Sequence, residues 1–261
     1  MTHTKRKRLI IGVILVVLSL PSITPMLMEI AYRTEMNIRY DIKDLNAMRT
    51  NYAGAPDNAN YKGNIIRALT VTIGEPYLNA WDDLVYPSDI LISVNGETIE
   101  TLEDYPVQLH EDGGISVEGL DRYNDAITYW IVEDKYTDKD FFAIVVLRNG
   151  YDMRAHGDGE VMPGYVDIEE REFKLIAVQK DGTVSEELFT FENKSKLQTQ
   201  LITENFSGPI HYYLPPGYYY PSLLYPLLYP WITMITGLGL MLFNFPYDLI
   251  KKRDKARTNN E

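Results

Sequence analysis

Two apolar segments without a charged residue constrain this chain more than any other feature. They cover residues 9–28 and residues 221–245. An α-helix of about 20 residues is roughly 30 Å long, which matches the hydrocarbon core of a bilayer. A cleaved signal peptide is the alternative for the first segment, but Pro25 would follow the nearest acceptable cleavage site and disfavour processing. The sequence therefore predicts two transmembrane helices.

The second apolar segment carries further signals in its sequence. Tyrosines and Trp231 crowd its N-terminal half, as is usual where aromatic rings lie at the headgroups of a bilayer. Prolines at 221, 226 and 230 predict that the regular helix begins near Pro230. Gly237 and Gly239 are two residues apart, not four, which predicts no close-packing role for them.

The distribution of basic residues predicts the orientation of both helices. Lysine and arginine cluster in residues 5–8 and 251–257, on the outer chain side of each apolar segment. Basic flanks stay on the cytoplasmic side of a membrane. The sequence thus predicts cytoplasmic tails at residues 1–8 and 246–261, with residues 29–220 extracytoplasmic, on the cell (inner) membrane.

Composition excludes several classes of function for the region between the two segments. This region holds 16 of the 25 basic residues and 34 of the 37 acidic residues, a net charge of −18. Phosphate binding requires the opposite sign, so a nucleic-acid partner is excluded. The chain has no cysteine, which rules out disulfides, thiolate metal sites and a cysteine nucleophile.

The first part of the outer region predicts a helical stalk and a loop over residues 29–62. Apolar residues at Ile38, Ile42, Leu45 and Met48 form one helical stripe that could continue the first membrane helix. The stretch at 51–62 is rich in Asn, Gly, Pro and Asp and predicts a loop.

The next part of the chain changes to a period of two, which predicts strands. In the run 65–73, Leu69, Val71 and Ile73 share one face, and Asn95-Gly96 is a strong turn signal. A hairpin is predicted around Lys180-Asp181-Gly182, within a β-rich extension at 151–220. The other predicted strands cover residues 89–94, 126–132, 141–147, 173–178 and 183–191.

A helix is predicted after the strand at 89–94. Thr101 with Asp104 resembles a capping box, and this pattern predicts a helix through His110. The fold class expected from all these signals is a membrane-anchored protein. Two transmembrane helices flank a β-rich (α+β) extracytoplasmic domain.

The run from Ser88 to Ile99, followed by Thr-Leu-Glu-Asp at 101–104, resembles the centre of bacterial PDZ domains. Residues 144–150 are similar to the closing strand of that family. The resemblance implies a PDZ-like domain at 63–150, with an insertion at 111–140.

The same resemblance implies a groove between the predicted helix and a neighbouring strand. Tyr105 and Leu109 would line this groove, which could bind an extended peptide by strand addition. However, residues 74–87 stand where the family has a carboxylate-binding loop, and Asp82 and Asp83 there would repel a carboxylate. No binding residue is therefore transferred from the family.

The sequence contains no recognisable catalytic or metal-binding motif. His156, Asp158 and Glu160 alternate and could hold a divalent ion on a strand, but the intervening glycines favour a solvated turn. The acidic run at 133–140 lacks the glycine of a calcium loop. The sequence predicts no catalytic residue, metal or cofactor.

These expectations define a predicted function. The chain would be a non-enzymatic interaction protein that holds a membrane or envelope protein beside the lipid bilayer, as a monomer or a homo-oligomer. Polysaccharide chain-length regulators share the layout of a helix at each end, although their extracytoplasmic regions use long helices. An extracytoplasmic sensor is the other alternative.

Overall fold

The computed structural model describes residues 3–49, 52–78, 84–108, 126–155, 161–202, 211–214 and 224–244. The chain divides into two compact units. The smaller unit contains Met1–Ala31 and Tyr213–Glu261, and the larger unit contains Tyr32–Tyr212.

Helix α1 contains the first apolar segment, and helix α3 lies within the second. Helix α1 (His3–Arg39) is an apolar helix of 37 residues that continues through both of its prolines. Among the described residues it is the one helix long and apolar enough to cross a membrane. Helix α3 (Leu224–Asn244) begins before Pro230, so the later start predicted for it was wrong. Pro226 is tolerated because it lies in the first turn, where its missing N–H would have no intrahelical partner.

The described part of the larger unit is mostly antiparallel β-structure, with one short helix α2 (Lys196–Leu201) after Ser195. Its strands are β1 (Tyr40–Asp44), β2 (Ala47–Arg49), β3 (Tyr52–Gly54), β4 (Asn58–Tyr61), β5 (Asn64–Thr72), β6 (Tyr77–Leu78), β7 (Leu84–Val94), β8 (Glu97–Gln108), β9 (Ile127–Asp134), β10 (Lys139–Leu147), β11 (Tyr151–Ala155), β12 (Val161–Tyr165), β13 (Glu172–Val178) and β14 (Val184–Thr190).

Two five-stranded sheets organise these strands. Sheet I has the order β1-β9-β10-β13-β14. Sheet II has the order β4-β5-β7-β6, and β8 also pairs with β7. Two further pairs, β2-β3 and β11-β12, form separate two-stranded sheets. The predicted β-rich domain is thus confirmed.

The centre of sheet I is buried on both faces, which explains the continuous apolar run in its central strand β10. Phe142 and Ile144 join the core that contains Ile90 and Ile92 of sheet II. On the opposite face, residues such as Val145 pack in a second cluster that includes α2. A strand covered on both sides needs apolar residues at every position, so its sequence does not alternate.

An amide network ties sheet II to the β13–β14 hairpin. Asn64 Nδ2 donates to the carbonyl oxygens of Gln179 and Lys180, each at 3.2 Å. Asn95 Nδ2 donates to Asn64 Oδ1 at 2.9 Å. Gly182 closes the hairpin with a φ of 86°, a left-handed conformation that suits glycine.

Most of the predicted strands are confirmed, with shifted ends. The turn predicted at Asn95-Gly96 is also confirmed, since both residues have positive φ, 53° and 87°. Both are needed for a tight two-residue hairpin connection. The hairpin predicted around Gly182 joins β13 to β14.

The stalk and loop predicted before residue 62 were wrong in their later parts. Helix α1 ends at Arg39, and β1 pairs with β9 where the helical stripe was expected to continue. Ile42 packs against the second core cluster, so tertiary pairing overrode the helical spacing. The expected loop holds β3 and β4; β4 turns into β5 through Lys62 and Gly63, both with positive φ.

The helix predicted from Thr101 was also wrong over the described residues. These residues belong to β8, in which Thr101 pairs with Leu91 of β7. Asp104 has a φ of 52° and lies beside a register shift between β7 and β8. It is therefore part of a β-bulge and does not cap a helix. Tyr105 is half-buried against the core, and Leu109 lies outside the described residues. A groove formed by both residues stays a prediction.

Candidate interaction face

Strand β5 turns its more apolar side outward. Asn64, Ile66 and Ala68 are buried toward sheet I. The alternate apolar residues are between 41% and 58% exposed: Ile65, Leu69 and Val71, with Ile73 just after the strand. Leu69, Val71 and Ile73 do share one face as predicted, but that face is not in the core. Large apolar side chains lined up on a surface indicate an interaction site.

Neighbouring strands extend this exposed surface. In the antiparallel register Leu69 lies opposite Leu91, and Val71 lies opposite Asp89. Thr101 of β8 lies beyond Leu91. We call this surface the outer face of sheet II; its residues are Ile65, Arg67, Leu69, Val71, Ile73, Asp89, Leu91, Ser93, Thr98 and Thr101.

Two open depressions lie on this side of sheet II. The larger one, of about 640 Å³, lies between Arg67, Leu69, Leu91 and Thr98. The smaller one, of about 520 Å³, is lined by Ile73, Gly74, Pro87, Asp89, Glu103 and Asp104. Side chains of a partner could therefore enter at two points along the same face.

Acidic side chains are concentrated at one end of the outer face. Asp89 on this face, with Glu103 and Asp104 beside it, lines the smaller depression at the Ile73 end. The backbone N–H of Asp104 donates to Asp89 Oδ1 at 3.1 Å, which holds the bulge against β7. Burial, and after it the negative charge of Asp104, raises the pKa of Tyr77 above its usual value. The electrostatic potential at this end of the face is thus negative.

The distribution of side chains in the smaller unit is unlike that of a water-soluble helix pair, because most of its described large apolar residues are exposed. Its buried α1 side chains include Ser19, Ile23, Met26 and Glu29, and Glu29 Oε2 accepts a hydrogen bond from the N–H of Tyr213 at 3.0 Å. Ten other large apolar side chains of α1 are exposed: Ile10, Ile11, Val13, Ile14, Val17, Leu18, Leu20, Leu27, Met28 and Ile30. On α3 the exposed residues are Tyr229, Ile232, Ile235, Leu238, Leu242 and Phe243.

Two glycines lie where α1 and α3 approach each other closely. A Cβ atom added to Gly12 would lie 2.8 Å from the carbonyl oxygen of Gly237. A Cβ added to Gly237 would lie 2.8 Å from the carbonyl oxygen of Gly12. Small residues that let two backbones meet are typical of packed membrane helices. The prediction that Gly237 has no close-packing role was wrong, whereas an added Cβ on Gly239 would have no atom within 4 Å.

The last turns of α1 are held within the larger unit. Tyr32 Oη donates to the carbonyl oxygen of Lys196 at 2.9 Å, and Lys196 Nζ lies 2.5 Å from Glu35 Oε2. Arg39 Nη2 lies 2.8 Å from Asp134 Oδ2, and this hydrogen bond is the main cause that lowers the pKa of the Asp134 carboxyl. These contacts fix the end of the helix at the start of β1.

Of the two segments rich in possible metal ligands, 133–140 and 156–160, the structure describes the first. His156, Asp158 and Glu160 lie outside the described residues. In the acidic run, Asp134 pairs with Arg39 and Asp140 with Lys62. No group of three or more His, Asp or Glu side chains that could hold a metal occurs in the part of the chain that the structure describes.

Comparisons of this chain with protein-family models, curated proteins and solved structures find no match. The function must therefore be argued from the geometry of its own residues.

Proposed function

We propose that this chain is a non-enzymatic, membrane-anchored interaction protein. Two apolar helices hold an acidic β-rich domain on the extracytoplasmic side of the cell (inner) membrane, where the outer face of sheet II binds a partner protein. The observation that supports this function is the exposed line of apolar side chains on β5. Isolated exposed apolar residues are ordinary, but a line along one strand is not.

The anchoring is supported by the side-chain pattern of the smaller unit. Burial of Gly12 and Ser19, with large aliphatic residues outside, would be unfavourable in water. In a bilayer the same pattern is favourable, because lipid solvates the aliphatic surface while small residues allow close helix packing. The bilayer is thus the first proposed partner.

The orientation follows from the basic flanks and gives the first prediction. A reporter fused after residue 261 should be active only in the cytoplasm. A reporter inserted in the β9–β10 turn, where Tyr136 is 69% exposed, should be active only outside. This turn suits an insertion better than the one at Gly182, which lies beside the Asn64 network. Activity on the same side for both fusions would contradict the two-pass arrangement.

Binding at the outer face gives the second prediction. A photo-cross-linking amino acid at Val71 should give a discrete adduct with one membrane or envelope protein in intact cells. Leu69→Asp should abolish this adduct, because a charge would have to be buried in an apolar contact. Leu69 is exposed, so this substitution should change the free energy of unfolding by only about 0.5 kcal/mol.

The matched control is a cross-linker at Leu188, which is 60% exposed on β14 of sheet I. It should label abundant proteins diffusely and should be insensitive to Leu69→Asp. Identical adducts from both positions, or a Val71 adduct that survives Leu69→Asp, would contradict binding at this face.

The alternatives have no specific observation in their favour. The described part of the larger unit is built of strands, with α2 and the end of α1 as its α-helices, whereas chain-length regulators use long extracytoplasmic helices. A sensor would need a ligand site, and the acidic side chains Asp134 and Asp140 are paired with basic residues. The PDZ-like assignment stays a prediction, and the proposal does not depend on it.

A further inference from the structure

The outer face of sheet II has a direction, set by its charges. Its apolar line runs along β5 from Ile65 to Ile73, and the acidic group of Asp89, Glu103 and Asp104 lies at the Ile73 end. Among the described residues, no ion pair involves any of these three carboxylates. An apolar partner that ends in positive charge would complement both features.

The position of the exposed line on the face of β5 decides how a partner can sit. Strand β5 pairs with β4 over residues 64–67 and with β7 over residues 66–72. The exposed side chains belong to the face of the sheet, so a partner that covers them lies across this face instead of adding a strand at an edge. An amphipathic helix makes this kind of contact through one apolar stripe.

We propose that the outer face of sheet II binds an amphipathic helix of a partner protein, with lysine or arginine at the end that meets Asp89, Glu103 and Asp104. This inference rests on the proposed function and specifies the chemistry of the partner. From Ile65 to Ile73 the strand covers about 26 Å at roughly 3.3 Å per residue. A helix of about 18 residues has the same length.

Charge distinguishes a cationic helix from the other partners that an apolar face could bind. Anionic headgroups would be repelled by the acidic group and by the net charge of −18 of this region. A second copy of this chain would place a second region of net charge −18 against the first. Arg67 is the basic residue that the outer face offers to balance this repulsion. A cationic helix is attracted by the same charges.

The test uses three synthetic helical peptides of 18 residues with one leucine stripe. Their polar positions at one end carry lysine, glutamine or glutamate. Binding to the full chain in phosphatidylcholine nanodiscs is measured by fluorescence anisotropy, with empty nanodiscs subtracted. We expect the lysine peptide to bind about tenfold more tightly than the glutamate peptide, and the difference to shrink as salt rises.

Two variants assign the interaction to residues. D89N/E103Q/D104N should remove the preference among the peptides; asparagine suits the positive φ at position 104. L69S/V71T should weaken the binding of all three peptides. The matched control, E169Q/E187Q/E192Q, removes the same charge from exposed positions away from this face and should preserve the preference.

The possible failures are distinct. Equal binding of the three peptides, still weakened by L69S/V71T, would overturn the cationic partner and leave the face as an interaction site. Loss of the preference in the E169Q/E187Q/E192Q control would also overturn it, because net charge would then be the cause. Binding that is insensitive to L69S/V71T would contradict the proposed function itself.

Discussion

Leucine in place of Gly12 is expected to force apart the two helices of the smaller unit. An added Cβ would lie 2.8 Å from the carbonyl oxygen of Gly237 and 2.9 Å from Met241 Cγ. The methionine can move, but the backbone oxygen cannot move without its helix. Overpacking of this kind costs about 1–3 kcal/mol. We expect a lower melting temperature of the full chain in detergent, and the same direction for Gly237→Leu.

Gly239→Leu is the matched control, because it makes the same chemical change on α3 where an added Cβ would have no atom within 4 Å. Both substitutions on α3 increase hydrophobicity and helix propensity equally. Only a difference in packing separates them. If Gly237→Leu and Gly239→Leu gave the same melting temperature, the close approach of α1 and α3 would be refuted.

The role of Gly237 illustrates what local spacing cannot predict. Its distance from Gly239 in sequence correctly excluded a four-residue glycine motif. The partner glycine lies on the other helix, and the spacing of residues around Gly237 carries no sign of it. The usable signal was on α1, where Gly12, Ser19 and Met26 recur every seven residues and are all buried.

The outer face of sheet II shows a second limit of prediction from the sequence. A period of two correctly predicted that Leu69 and Val71 share a side of β5. It could not predict which side would be buried. The buried side is the one on which Asn64 bonds to the β13–β14 hairpin and Ile66 and Ala68 join the core. Apolar content alone would have chosen the other side, which is why sequence reasoning missed the candidate site.

Signals for local structure failed where strand pairing competed with them. The acidic residue of the supposed capping box, Asp104, lies in a β-bulge, and the helical stripe that included Ile42 became strand β1. In both cases the residues gained a long antiparallel partner, β7 or β9. Strands β5, β9 and β10 were predictable because the residue pattern of each strand and its pairing in the sheet favour the same structure.

The second large effect is expected at Lys174, which joins the two sheets. Lys174 Nζ lies 2.5 Å from Glu100 Oε2 of β8 and 2.5 Å from Glu186 Oε2 of β14. The Glu100 side chain is only 8% exposed, and its other cation, Arg148, is 3.9 Å away. Lys174→Met would leave this buried carboxylate without its nearest positive charge. We expect the free energy of unfolding to fall by about 3 kcal/mol.

The double variant Lys174→Met/Glu100→Gln should recover much of that loss, because removing both charges leaves no unpaired ion in the interior. Glu186→Gln should cost less than about 1 kcal/mol, since Glu186 is largely solvated. Urea unfolding of the full chain in detergent, followed by tryptophan fluorescence, measures all four proteins. A double variant as unstable as Lys174→Met would show that packing of the lysine stem, and not the ion pair, stabilises this position.

The pH dependence gives an independent check of the same interaction. Burial lowers the pKa of Lys174, but hydrogen bonds to Glu100 and Glu186 raise it by more, so its net pKa is above the usual 10.5. A raised pKa means that the charged lysine stabilises the fold fully below pH 10.5 and that this contribution is lost as pH rises through the folded value. The stability difference between the native chain and Lys174→Met should therefore be constant near neutral pH and narrow in strong alkali. A difference that stays constant through the alkaline range would mean that charge does not contribute, because the titrations of the other groups occur in both proteins and cancel, which leaves the deprotonation of Lys174.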